Sequence, residues 1–210
     1  MDNALNLKEH WNAAYNQEDK QLGWFEENPK QTLQLIKKCH LKEDATILNV
    51  GAGTTTLIDV LLKDGFTNII ANDLSNVALE RLKNRIKKLY NHNLNCIADD
   101  LTNPKKLNQL QNIDLWIDRA VLHFFLTEEE QNTYFNLIQN VVAKKGYVII
   151  AVFSLEGAKK CSGLNLQRYN VQVLQTKLGD NFRLIDSFNY TFINPFGGER
   201  PYIYSLFQKQ

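Results

Sequence analysis

The chain has 210 residues, 44% of them hydrophobic, with 24 Lys and Arg set against 23 Asp and Glu. That length supplies one well-buried core and requires no second domain. A net charge of +1 excludes a broadly basic nucleic-acid surface, and the local patch Lys83–Lys88 reads as the solvated face of a helix. Cys39, Cys96 and Cys161 are odd in number and lack a C-x-x-C pair, so neither a disulfide framework nor a zinc site is indicated. The N-terminus carries no charged-then-apolar leader and no apolar run reaches the length of a membrane span. A cytoplasmic protein is expected, monomeric or weakly dimeric, with neither nucleic acid nor membrane as partner.

In chain order, Leu7–Asn16 and Pro29–Cys39 read as helices, with Pro29 suited to a first helical turn. Between them Gln21–Phe25 is a loop rich in aromatics. Trp24 and Phe25 fit a lid that excludes water as well as they fit packing, whereas Trp11 and Tyr15 fit packing. Next comes an apolar run (Ile47, Leu48, Val50), the turn Gly51-Ala52-Gly53, an amphipathic stretch (Leu57, Val60, Leu61, Leu62) and a second apolar run ending on Asp73. This is strand, turn, helix, strand: one βαβ unit, with glycine letting backbone approach a ligand and a carboxylate about 20 residues on, where a ribose diol would lie. The third glycine of a dinucleotide cradle is missing, since Thr54, Thr55 and Thr56 follow Gly53.

Asn76–Leu89 predicts a helix, and Leu94–Ala98 a strand ending in Asp99-Asp100, where one acid can accept from an adenine amino group or cap the next segment. Ile113–Ile117 predicts a fourth strand running into Asp118-Arg119. These two form a mutual ion pair, or Asp118 meets a cofactor ammonium; His123 beyond them contacts substrate or serves as a base near neutral pH. Thr127–Glu130 is a capping box opening a helix to about Val142, which Lys144-Lys145-Gly146 ends with glycine as a left-handed cap. Tyr147–Phe153 is the most buried-looking strand. Ser154–Tyr169 is a long polar loop holding Cys161, Ser162, Arg168 and Tyr169. A helix over Val171–Leu178, a strand over Phe182–Ile193, the turn Asn194–Gly198 and a strand over Tyr202–Phe207 close the chain as an antiparallel hairpin.

This pattern resembles the class I S-adenosylmethionine-dependent methyltransferases over nearly the whole chain. The resemblance implies an α/β fold: a seven-stranded Rossmann-like sheet, mostly parallel with an antiparallel terminal hairpin and helices on both faces. It divides the single domain into a helical lid (1–40), a cofactor-binding core (41–153) and a substrate loop with terminal hairpin (154–210). It brings Gly51, Ala52 and Gly53 to the methionine and ribose parts of the cofactor, Asp73 to the ribose hydroxyls, Asp100 or its neighbour Asp99 to the adenine, and Asp118 to the reacting methyl and amino-acid end. Thr54, Leu74, Leu101 and Trp24 complete the implied cofactor contacts. Asn49 stands where the family commonly has an acid, an amide that can still hydrogen-bond an ammonium. Asp118, His123 and Arg168 form the expected catalytic set, without a metal.

Within the class, the segment from Ile113 to Phe125 and that from Phe153 to Tyr169 resemble small bacterial methyltransferases, and Trp116–Val121 is similar to thiopurine-type enzymes. The stretch from Leu48 to Phe66 and the neighbourhood of Asp118 are similar to eukaryotic protein lysine methyltransferases, whose fourth-strand motif reads D-K-G-T where this chain has Asp118-Arg119-Ala120-Val121. Methyl transfer from S-adenosylmethionine to a small molecule is therefore expected, with a protein lysine as the runner-up acceptor. More distant alternatives are a catalytically silent cofactor-binding protein and a nicotinamide-dependent oxidoreductase, the latter opposed by the missing glycine and the terminal hairpin.

Overall fold

A computed structural model describes residues 6–210; the first five residues, which belong to the expected lid and to the N-terminus expected to lack a leader, lie outside the described residues. Helix α1 (Leu7–Ala14) and α2 (Lys30–Lys37) precede the sheet. The core alternates β1 (Ile47–Val50), α3 (Leu57–Lys63), β2 (Ile69–Asp73), α4 (Asn76–Tyr90), β3 (Asn95–Ala98), β4 (Ile113–Arg119), α5 (Glu128–Val141) and β5 (Val142–Phe153). A two-stranded hairpin, β6 (Lys160–Cys161) with β7 (Leu164–Asn165), interrupts the polar loop before α6 (Val171–Leu178), β8 (Phe182–Ile193) and β9 (Glu199–Lys209).

The main sheet runs β3-β2-β1-β4-β5-β9-β8. Its first five strands pair in parallel, while β9 lies antiparallel to both β5 and β8. The expected seven-stranded sheet with its antiparallel ending is thus present. Chain order reverses between β1 and β4, and in open α/β sheets the crevice outside the carboxyl ends at such a point is where ligands gather. No helix among the described residues is long and apolar enough to cross a membrane.

Two apolar layers sandwich the sheet. Leu48, Val50 and Trp116 pack with Tyr134, Phe135 and Ile138 of α5, while Ile47, Leu115 and Ile117 pack with Leu35 of α2, Ile58 of α3 and Leu82 of α4. Because successive strand side chains point to opposite faces, this assignment fixes the direction of every later residue on β1 and β4. The α5 capping box forms as its sequence predicts, Thr127 accepting from the Glu130 amide while Glu130 accepts from Thr127.

One boundary differs from expectation. Helix α5 ends at Val141 and the chain is already strand from Val142, so Gly146 is no helix cap; the left-handed residue is Lys145, at φ 67°. Gly146 is needed for room instead: a Cβ there would sit 2.9 Å from the carbonyl oxygens of Ala143 and Ile113, where the β4–β5 register shifts.

Candidate active site

The turn after β1 carries Gly51 at φ 53° and Gly53 at φ 52°, a conformation open to glycine but strained for other residues. Both also lack room for a side chain. A Cβ on Gly51 would collide with Val121, and one on Gly53 with the Tyr15 hydroxyl. Asp73, at the end of β2, takes the Gly53 amide on Oδ2 and the Ser75 amide on Oδ1, both at 2.8 Å, and stands with Leu74 on the wall of a cavity over the switch point. Burial lifts its carboxyl to about 6 against the pull of those amides.

Asp99, Asp100 and Leu101 form the next stretch of wall. The two acids divide the readings proposed for them. Asp99 accepts from the amides of Lys105, Lys106 and Leu107, so its oxygens serve the local backbone. Asp100 commits only Oδ1, to the amide and hydroxyl of Thr102.

At β4 the pleat decides. Asp118 follows Trp116 toward α5: it is fully buried, accepts from the amides of Val121 and Leu122, and takes the Tyr134 hydroxyl at 2.7 Å. Burial raises its carboxyl to about 6 despite those donors. It does not line the cavity, which departs from its expected place beside the reacting methyl, and it makes no ion pair with Arg119. Arg119 follows Ile117 to the opposite face, beneath the N-terminal segment. There its Nε meets Glu26 at 2.8 Å and its Nη1 donates to the Trp24 carbonyl at 3.0 Å. Ala120, next in line, holds φ at 72°, strained for a residue with a Cβ, at the third position of the D-K-G-T-like motif.

Trp24 lines the cavity and donates Nε1 to the Tyr15 hydroxyl at 3.2 Å, while Trp11 packs edge-on against both Trp24 and Phe124. Tyr15 and Trp11, expected only to pack, are therefore also wall. The segment is tied to the core through Asp19, which pairs with Arg81 at 2.6 Å and accepts from Thr54 Oγ1 at 2.8 Å. Thr54 thus faces the lid; with Asn49 and Ala52 it lines a smaller chamber beside the main cavity.

His123 is buried among Phe124, Phe153 and Tyr202, with Nδ1 unpartnered. Burial, reinforced by the Arg119 charge, drops its pKa to about 3. A base near neutral pH is therefore not what this position offers; a neutral imidazole on the cavity wall is. Arg168 lies away from the cavity, donating to the carbonyls of Leu155 and Gly157 and so bracing the loop. Cys161, on β6, does reach the wall, as do Arg200 and Tyr202 of β9, which no local sequence signal marks. No cluster of metal-binding side chains occurs among the described residues.

Glycine turn, strand-end acids, reversed strand order and terminal hairpin together define the class I, S-adenosylmethionine-dependent methyltransferase fold. A family model described as "Methyltransferase domain" matches residues 41–191, and the chain belongs to that family. It is 28% identical over 160 residues to EEF1A lysine methyltransferase 2 of Danio rerio (70% of this chain, 68% of that protein) and 26% identical over 164 residues to that of Mus musculus (71% and 66%). The chain spans about two thirds of the length of these curated relatives. In fold it is similar to Burkholderia thailandensis 1,6-didemethyltoxoflavin-N1-methyltransferase, solved with 1,6-didemethyltoxoflavin and S-adenosylhomocysteine, at TM-score 0.74 and 18% identity over 97% of this chain and 87% of that one. The N-methyltransferase NodS of Bradyrhizobium japonicum, in complex with S-adenosylhomocysteine, aligns at TM-score 0.70 and 14% identity over 98% and 99%. Family membership sets aside the nicotinamide-dependent oxidoreductase.

Proposed function

We propose that this protein transfers a methyl group from S-adenosylmethionine to a small-molecule acceptor. The observation carrying the choice of acceptor is an aromatic roof: Trp11, Tyr15 and Trp24 of the N-terminal segment line the cavity together with Arg200 and Tyr202 of β9. The donor, when bound, supplies a methyl on a positively charged sulfonium and leaves as a neutral thioether.

The residues present fit such a group. Asp73 keeps lone pairs for ribose hydroxyls, Asp100 retains Oδ2 for an adenine amino group, and the left-handed glycines remove side chains from the approach. Leu74 and Leu101 supply apolar walls for the nucleoside. Trp11 and Trp24 exclude water, and neutral His123 contacts the acceptor without taking its proton. Asp118 positions the turn that carries Val121 and Leu122, and Arg168 positions the substrate loop. The division into lid, core and substrate loop follows the same roles. Three unpaired cysteines suit a reducing cytoplasm, where we place the protein as a monomer or weak dimer.

A second reading, a protein lysine acceptor, is favoured by the curated relatives, which are named as lysine methyltransferases. Transfer of labelled methyl groups from S-adenosylmethionine, measured across small thiols, amines, carboxylates and heteroaromatics in parallel with lysine-bearing peptides and proteins, separates the two. Labelled small molecules alone are expected. Label confined to polypeptide lysines would replace the first reading with the second.

A further inference from the structure

The chamber beside the main cavity is the smaller of the two and mixes apolar with polar side chains. Residues lining it carry three buried side-chain atoms with no hydrogen-bond partner among the described residues: Thr32 Oγ1 from α2, Asn49 Oδ1 from β1 and Arg119 Nη2 from β4. Leaving such atoms buried and unpaired costs about 1–3 kcal/mol each, so three in one chamber call for a polar occupant. Glu26 lines it too, with its carboxylate on Arg119 Nε. Arg119, Gly51, Tyr15 and Trp24 belong to both chambers, so the two spaces meet over the glycine turn.

The amino-acid end of the methyl donor is expected over this glycine turn, and we propose that in this chain Glu26 of the lid supplies there the negative charge residue 49 lacks, with Thr32 and Arg119 completing a cradle for its α-ammonium and α-carboxylate. An ammonium offers three donors, and Asn49 Oδ1, Thr32 Oγ1 and the Glu26 carboxylate are three acceptors of matching type. A carboxylate takes the free Nη2 of Arg119, a charge-assisted bond of the stronger kind. Parity makes the grouping possible: Asn49 and Arg119 share the sheet face covered by α2 and the lid.

The same geometry explains why the acid sits on the lid and not on β1. Asn49 Nδ2 donates to the carbonyls of Val50 and Ile117, each at 3.3 Å. An aspartate there would set its oxygens against two carbonyl oxygens, with no donor to offer. Asparagine keeps the strand ends satisfied, and the charge arrives from Glu26 across the chamber.

This assignment rests on S-adenosylmethionine being the donor, and the test separates the two claims. S-adenosylhomocysteine and 5′-methylthioadenosine share the nucleoside and differ in the amino-acid end; calorimetry gives the affinity of each. Unaltered protein is expected to prefer S-adenosylhomocysteine by about 100-fold. Glu26→Gln should cut that preference about tenfold and Thr32→Val severalfold, each leaving 5′-methylthioadenosine affinity within twofold. Because Glu26→Gln leaves Arg119 without its neutralising charge, Thr32→Val, neutral and nearly isosteric, guards against a folding defect. Equal affinity for the two compounds, or an unchanged preference in both variants, would overturn the cradle while leaving the donor in place. Absence of binding by either compound would overturn the donor assignment and the cradle with it.

Discussion

Asp73 shows what a single residue can and cannot disclose. Its position was legible because a βαβ unit fixes the spacing from glycine turn to strand end, and the Gly53 amide on its Oδ2 realises that spacing. Its titration was not legible, since burial is a property of the folded chain. With the carboxyl raised from 3.8 to about 6, the folded protein holds a proton that the unfolded chain has released between those values. This group's contribution to stability is therefore greatest below pH 3.8 and declines as pH rises through about 6. Donor binding has the opposite sign, because ribose hydroxyls are best accepted by the ionised form. We expect S-adenosylhomocysteine affinity to fall between about pH 7 and about pH 5, and the Asp73 share of that fall to vanish in Asp73→Asn; calorimetry across the interval checks both. Asp118 and Arg119 mark the limit of such reading. Adjacent in sequence, they point to opposite faces, and choosing between them requires knowing which face the lid covers.

At the scale of elements, the N-terminal segment is tied to the core by polar contacts that span long stretches of sequence. Asp19 binds Arg81 and Thr54 and lies 3.8 Å from Arg85, Thr56 donates its hydroxyl to the Glu26 carbonyl at 2.8 Å, and Ser75 donates to Asn12 at 2.8 Å. The Asp19 pair is partly exposed, with side chains 26% and 34% accessible, so its net worth is below about 1 kcal/mol. Asp19→Ala should thus barely move the denaturant midpoint, yet amide exchange over residues 7–26 should quicken while β1, β4 and β5 keep their protection. Uniform quickening across the chain would show that the segment does not open by itself. The helices of this segment could be read from periodicity and Pro29. Its contacts could not, because Tyr15 reaches Gly53, and Glu26 reaches Arg119, across separations no local pattern encodes. Gly146 failed for a related reason: a glycine after a helix signals a cap, whereas here a neighbouring strand's carbonyl sets the requirement.

For the molecule as a whole, order of elements and terminal hairpin were written in hydrophobic runs and turn residues, and the fold follows them closely. What sequence could not supply was the joining of residues 6–40 to the far hairpin, through which Arg119 touches both Trp24 and, at 3.3 Å, Tyr204. Such a site is shared among segments, so a ligand in it should tighten them together. S-adenosylhomocysteine at 100 times its Kd is expected to add about 2.7 kcal/mol to unfolding and to slow exchange in the lid and the glycine turn at once. Stabilisation without slower exchange in the lid would mean that only the core grips the ligand.

The two glycines of the turn have one more meaning. Val121 and Tyr15 occupy the places their side chains would take, so the chain's own packing demands glycine at both positions, whether or not anything binds. A descendant that had lost catalysis but kept its lid closed would be held to the same G-x-G. In this protein the motif records how the roof is seated, and the signs of a working site lie in the unpaired atoms beneath it.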